Sequence, residues 1–245
     1  MVGAMDNHTE PLAEDVWRIE VGPMTNAYLL ADDDRRLTLV DTGFRSSGPR
    51  LVRSVRLLGF DPRAIDHVVL THWHADHTGA VARFAASSAA PTVSAGRDEV
   101  PAIIGAVRHP QAESPDTSPL GRFIGRWTAP GAPVERCSPL DDGDVVPGAG
   151  GAVVLTTPGH TPGHICLHVR DRGILLAGDA VMNVGWLSRG VLPFRSARSH
   201  EHDTLHRLSE LDFDVLAVGH GPPVRGAQRR LRRLADRAAR RRVAT

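Results

Sequence analysis

Thr71-His72-Trp73-His74-Ala75-Asp76-His77-Thr78-Gly79 places three imidazoles and a carboxylate within six residues, directly after the apolar run Val68-Val69-Leu70. So dense a polar cluster at the end of a buried strand has little structural use, because each desolvated polar group must find a partner. A metal site explains it. In an extended segment His72 and His74 point the same way and can bind one ion, while Asp76 and His77 can face a neighbouring position. The ligand set is imidazole plus carboxylate without thiolate, which suits zinc and also iron or manganese.

Working outward, further ligand types stand where strands end. The strand-like runs Leu37–Val40, 152–156, 173–177 and 214–218 lead into Asp41, His160, Asp179 and His220 respectively. Loops at the C-terminal ends of strands can converge on one edge of a sheet and form a cleft there. His164, four residues after His160, and Asp41 are candidates for orienting ligands from behind. Residues 16–19 and 26–30 also read as strands, 46–59 as a helix with Leu51, Val52, Val55 and Leu58 on one face, and Gly79 to Ala86 as a small-residue helix. Val134 to Ser138 reads as another strand, His200 to Leu211 as a helix.

This pattern divides the chain into a flexible N-terminal segment (1–12), a main domain (13–225) and a C-terminal basic helix packed on it (226–245). Within the domain, 97–133 is rich in proline. It reads as a helix near 98–107 followed by a lid or binding loop, with a spacer as the alternative.

The totals narrow the function. The chain has 245 residues, 41% of them hydrophobic, and a formal net charge of +1. That is enough to build a substantial core, and it does not call for a polyanionic partner. All basic residues are arginine. The two cysteines, Cys137 and Cys166, form no Cys-x-x-Cys and read as small packed thiols. No apolar leader segment and no run of about 18 apolar residues is visible, so a cytoplasmic protein is expected, with a small-molecule substrate and neither nucleic acid nor membrane as partner.

The spacing His72-x-His74-x-Asp76-His77, with His160, Asp179 and His220 downstream and the strand exit Asp41-Thr42-Gly43, resembles the metallo-β-lactamase-fold hydrolase superfamily over about residues 14–225. The resemblance implies an α/β fold, a four-layer αβ/βα sandwich of two mixed β-sheets flanked by helices. It also implies an allocation. His72, His74 and His160 would hold a first metal, Asp76, His77 and His220 a second, and Asp179 would bridge them, with two Zn2+ per chain expected and iron or manganese as alternatives. The function implied is a dinuclear hydrolase in which a metal-bridging hydroxide cleaves an ester, lactone or thioester, with Asp76 as the catalytic proton carrier.

Asp179 selects a branch. True β-lactamases of the superfamily typically carry Cys or Ser there, whereas aspartate resembles the glyoxalase II, lactonase and phosphodiesterase side. Glyoxalase II carries a helical extension with basic residues for glutathione; here 25 residues follow His220 and none is lysine, which points away from glutathione thioesters. A mononuclear iron persulfide dioxygenase, using His72, His160 and Asp179, is the alternative from another reaction class. An RNA or phosphodiester hydrolase, a β-lactamase and a binding module without turnover rank lower. Substrate contacts are expected from Trp73, Trp186 and Phe194, with Trp127 and Leu187 as further apolar candidates for the cleft.

Overall fold

Burial along the strands determines how the chain layers. In β3 (Thr25–Ala31) and β4 (Leu37–Val40), Ala27, Leu29, Leu37 and Leu39 join one apolar cluster, while Tyr28, Leu30 and Val40 join another. Successive strand side chains point to opposite faces. Strands apolar at nearly every position therefore have to be covered on both sides. The computed structural model describes residues 8–33, 36–85, 90–107, 131–189 and 200–243.

β1 (Thr9–Ala13), β2 (Val16–Gly22), β3, β4, β5 (Ile65–Leu70), β6 (Thr92–Gly96) and β7 (Ser138–Leu140) form a seven-stranded sheet in chain order. It is antiparallel from β1 to β4 and parallel from β4 to β7. A six-stranded sheet is built from β8 (Val145–Val146), β9 (Ala152–Thr156), β10 (Ile165–Val169), β11 (Ile174–Leu176), β14 (Val215–Ala217) and β15 (Val224–Arg225). Its order is β15-β14-β11-β10-β9-β8, with only the β11–β14 pair parallel. A small hairpin, β12 (Met182–Asn183) with β13 (Leu187–Ser188), stands apart from both.

Three apolar clusters separate the layers. Outside the first sheet, Leu51 and Val55 of α1 (Gly48–Leu57) pack on Leu39, Val68 and Leu70, alongside Val81 and Phe84 of α3 (Val81–Ala85). The helix between them in sequence, α2 (Ala75–Thr78), belongs to the metal-type cluster. Between the sheets lie Tyr28, Val69, Val154, Ile165, Leu167 and Val215. Beyond the second sheet, Leu155, Cys166, Leu175 and Leu216 meet Leu205 and Leu208 of α5 (Glu201–Ser209) and Leu231, Ala235 and Ala238 of α6 (Gln228–Val243). Helices, sheet, sheet and helices thus stack as the four-layer sandwich expected. Among the described residues, no helix is long and apolar enough to cross a membrane.

Several expectations need correction. Residues Thr9–Ala13 form a strand that the sequence reading did not assign: it pairs with β2 from Thr9↔Ile19 onward, and Leu12 is buried. Glu10 and Pro11 face solvent on this edge strand, the place where proline does no harm to a ladder. The strand expected at Val134–Ser138 lies at Ser138–Leu140, and Val134 is instead a core residue of the outer layer. The helix expected over Gly79 to Ala86 is found as α3, Val81–Ala85, and a separate turn of helix, α2, precedes it within the histidine cluster. The helix expected near 98–107 is present as a 3-10 turn, Arg97–Glu99, followed by α4 (Val100–Ile103), which buries Ala102 and Ile103. Residues 108–130, with Trp127, lie outside the described residues.

Candidate metal centre

Each ligand-type side chain follows a strand whose apolar residues are buried in the sandwich. β5 delivers His72, His74, Asp76 and His77; β9 leads to His160, β11 to Asp179 and β14 to His220. Backbone hydrogen bonds tie these loops across the sheets. Ile165 N–H donates to Thr71 O at 3.0 Å, Gly219 N–H to Gly178 O at 2.7 Å and Asn26 N–H to Gly219 O at 2.9 Å. The Asn26 amide adds donations to Val218 O at 2.8 Å and Gly221 O at 2.6 Å, so the first sheet grips the loop carrying His220.

Two groups of ligand atoms result. His72 Nε2 and His160 Nε2 each lie 3.0 Å from His74 Nδ1. Asp76 Oδ2 lies 3.2 Å from His220 Nε2, which is 3.4 Å from His77 Nε2. Asp179 reaches both groups: Oδ2 is 3.5 Å from His160 Nε2 and 3.3 Å from His220 Nε2, and Oδ1 is 3.5 Å from His77 Nε2. His72, His74 and His160 form one set of converging atoms, Asp76, His77 and His220 another, and a third joins His72, His77 and Asp179.

The hydrogen bonds behind the rings assign their tautomers. Asp41 accepts from the Thr71 N–H and hydroxyl and from His77 Nδ1, each at 2.8 Å. The Thr71 hydroxyl spends its one proton on the carboxylate, so at 3.1 Å it accepts from His72 Nδ1–H. Whenever these rings are neutral, both therefore turn an unprotonated Nε2 toward the centre, the orientation an outer carboxylate gives a metal-binding imidazole. His164 works similarly on Asp179. Its Nε2 accepts the Asp179 N–H at 3.1 Å, and its Nδ1–H faces the Thr157 hydroxyl at 2.8 Å. Asp41 and His164 thus hydrogen-bond to ligand-type residues from outside the cluster.

Electrostatics fit the same arrangement. Burial lowers His72 and His74 well below the ordinary imidazole value, and lowers His160 to about 3 and His164 to about 4. Burial also opposes charge on His77, but Asp179, Asp41 and Asp76 outweigh it and raise this ring to about 9. His220 is raised well above its ordinary value against burial, chiefly by Asp179. Burial opposes ionisation of Asp179, yet His220 and His77 hold it well below the usual carboxylate range. In the metal-free chain, protons on His77 and His220 balance the carboxylates. The residues fit divalent cations: neutral nitrogens 3.0 Å apart repel unless a proton or cation lies between them, and Asp179 Oδ1 is buried with no hydrogen-bond donor among the described residues.

The profile of the metallo-beta-lactamase superfamily matches residues 21–243. The chain belongs to the metallo-beta-lactamase superfamily. It is 31% identical over 180 residues to an N-acyl homoserine lactonase, AttM, of Rhizobium radiobacter, covering 70% of this chain and 64% of that protein. A hydroxyacylglutathione hydrolase of Aeromonas salmonicida is 30% identical over 200 residues, covering 81% of this chain and 62% of the relative. Among solved structures, a metallo-beta-lactamase family protein from Thermus thermophilus superposes with a TM-score of 0.71 at 25% identity, over 96% of this chain and 82% of that one. The protein is a metal-dependent hydrolase of this superfamily, with histidine and aspartate groups placed to bind metal.

The structure separates the expected substrate contacts from the centre's own residues. Trp73 is a correction: it is 1% exposed and packs in the core outside the first sheet, with its ring edge-on to His74 at 4.3 Å between centroids, so it is closed off from a substrate. Trp186 is 71% exposed at the tip of the β12–β13 hairpin, whose Asn183 N–H donates to His220 O at 2.9 Å. Phe194 lies outside the described residues. One residue of this superfamily hydrolase escaped the sequence reading altogether. Glu99, fully buried, accepts the Trp73 N–H at 2.9 Å and the Gly163 N–H at 2.8 Å, and burial pushes its carboxyl up to about 7. The only signal was an acid at the exit of a strand, here β6, as at Asp41 and Asp179.

Proposed function

We propose that the centre holds two divalent metal ions, zinc foremost, and that the protein hydrolyses an ester, lactone or thioester of a small molecule. The observation that carries this reading is the Asp179 carboxylate, which lies within 3.5 Å of ligand nitrogens in both groups. A lactonase and a thioester hydrolase among the similar proteins support the bond type. Bound at these residues, two such ions would supply an activated water and a Lewis acid for the substrate's carbonyl oxygen.

The chain's own residues then define the rest. Every metal-type side chain is nearly sealed except His220, 12% exposed, and Asp76, 8% exposed, so substrate approaches over this pair. Asp76 directs Oδ2 at His220 and His77, and is held below the usual carboxylate range by His77 and His220 against burial. It is the ionised group best placed to take up a proton and pass it to the leaving group. Two turns bonded to the backbone at His220 and Gly221 carry exposed apolar side chains: Trp186 in the β12–β13 hairpin, and Met24 in the β2–β3 turn, whose carbonyl accepts the Gly221 N–H at 2.7 Å. They suit an apolar acyl group.

Metal analysis of protein purified without added metal, followed by a panel of esters, lactones and thioesters, tests the reading. About two zinc ions per chain and turnover of one of these classes are expected. One iron per chain with oxygen uptake on a persulfide would replace it with the oxidoreductase.

A further inference from the structure

We infer that Glu99 is a positioning residue that clamps the two histidine loops of the first ligand group to each other. Three observations carry this. First, its two carboxylate oxygens are divided between the loops. Oε2 accepts the N–H of Trp73, between His72 and His74, and Oε1 accepts the N–H of Gly163, between His160 and His164. Second, Glu99 is 0% exposed, so no water can take over either bond. Third, the backbones themselves are in close approach at this seam. A Cβ on Gly163 would lie 2.7 Å from Glu99 N, and a Cβ on Gly96 would lie 2.0 Å from Gly163 O. The turn Arg97–Glu99 therefore presses directly on the loop that carries His160, and only glycine permits it.

The chemistry of the clamp is specific to glutamate. Both partners are donors, and a carboxyl group offers acceptor lone pairs at both oxygens, whereas an amide presents only a donor at one end. Aspartate, one methylene shorter, cannot span the same two loops. His72 and His74 come from the first sheet and His160 from the second, and no peptide segment short enough to fix their separation joins them. The backbone bond from Ile165 N–H to Thr71 O joins the two segments on one side of the histidines, and Glu99 adds a second tie at Trp73 and Gly163. The loop that carries His220 is held separately, by Asn26 of the first sheet, and does not touch Glu99.

This inference rests on the reading of the centre as metal-binding, and its test keeps the two apart. The full chain, stripped of metal, is titrated with Zn2+ against a chromophoric chelator, as wild type, Glu99→Gln and Glu99→Asp. Both variants are expected to bind one of two Zn2+ ions about 10- to 100-fold more weakly, with the other nearly unchanged. The Co2+-loaded variants should show an altered visible spectrum for that same site. Unchanged affinities and spectra in folded variants would overturn the clamp. Hydrogen exchange on the metal-free wild type gives the answer where the variants do not fold. The Trp73 and Gly163 amides are expected to be protected together, and free exchange of either one overturns the proposal. A wild type that binds no metal would sink the hydrolase reading, while amide exchange would still decide the clamp.

Discussion

Asp41 serves both ligand groups at once. It receives His77 Nδ1–H directly and His72 Nδ1–H through the Thr71 hydroxyl, from a left-handed backbone (φ 60°) that short polar residues tolerate best. Asp41→Ala leaves both tautomers unassigned, and metal affinity should fall about 10- to 100-fold, read by chelator competition. Gly219 matters for a different reason. A Cβ there would stand 2.1 Å from Asp179 Oδ1, so Gly219→Ala must displace the carboxylate that joins the groups. Metal analysis of this variant should find less than the wild-type content, and turnover should drop with it. The raised imidazoles set a pH dependence. His77, raised to about 9 in the metal-free chain, stabilises that fold fully below its unfolded value near 6.5, and the contribution is lost as pH rises through about 9. Metal-free protein should therefore melt at a lower temperature at pH 9.5 than at pH 6.5. Because metal must displace the protons on His77 and His220, loading at pH 7 should release about two protons, measurable by calorimetry in buffers of different ionisation enthalpy.

Elements position these residues by what they bury. The face of α1 carrying Leu51 and Val55 covers the strands that end at Asp41 and His72, and Leu51 is 0% exposed. Leu51→Ala should cost about 2–5 kcal/mol in urea unfolding while leaving metal content intact in the folded fraction. This helix, and the strands from β2 to β5, were legible because their apolar residues recur at helical or strand spacing. β1 and β6 were not. β1 is an edge strand with Glu10 and Pro11 outward, and β6, Thr92–Gly96, is made of small residues with a weak apolar signal. The β12–β13 hairpin has two-residue strands, below what any periodicity reveals. Its tip, Trp186, is predicted to act on substrate binding alone. Trp186→Ala should raise KM about ten-fold for apolar acyl substrates with kcat nearly unchanged, the signature of binding shared equally by ground and transition states.

At the scale of the molecule, the centre is a joint between two sheets. His72, His74, Asp76 and His77 come from the seven-stranded sheet, and His160, Asp179 and His220 from the six-stranded one. An ion that binds both sides favours only the assembled sandwich. Adding zinc to metal-free protein should raise the melting temperature, and a chelator should reverse it; about 2.7 kcal/mol is expected at a hundred-fold excess over Kd. The ligand types and their strand-end positions were written in the chain, because ligand chemistry resides in side-chain identity and a strand's exit follows from where its apolar run stops. The layered architecture was legible only through the resemblance to a family. The tertiary structure alone decided the roles that depend on what stands across a gap. It placed Trp73 in the core, turned Leu12 inward, and set Glu99 between two loops, 26 residues after Trp73 and 64 before Gly163. A buried carboxylate holding backbone N–H groups leaves no pattern in sequence, since its partners are peptide groups that every residue carries.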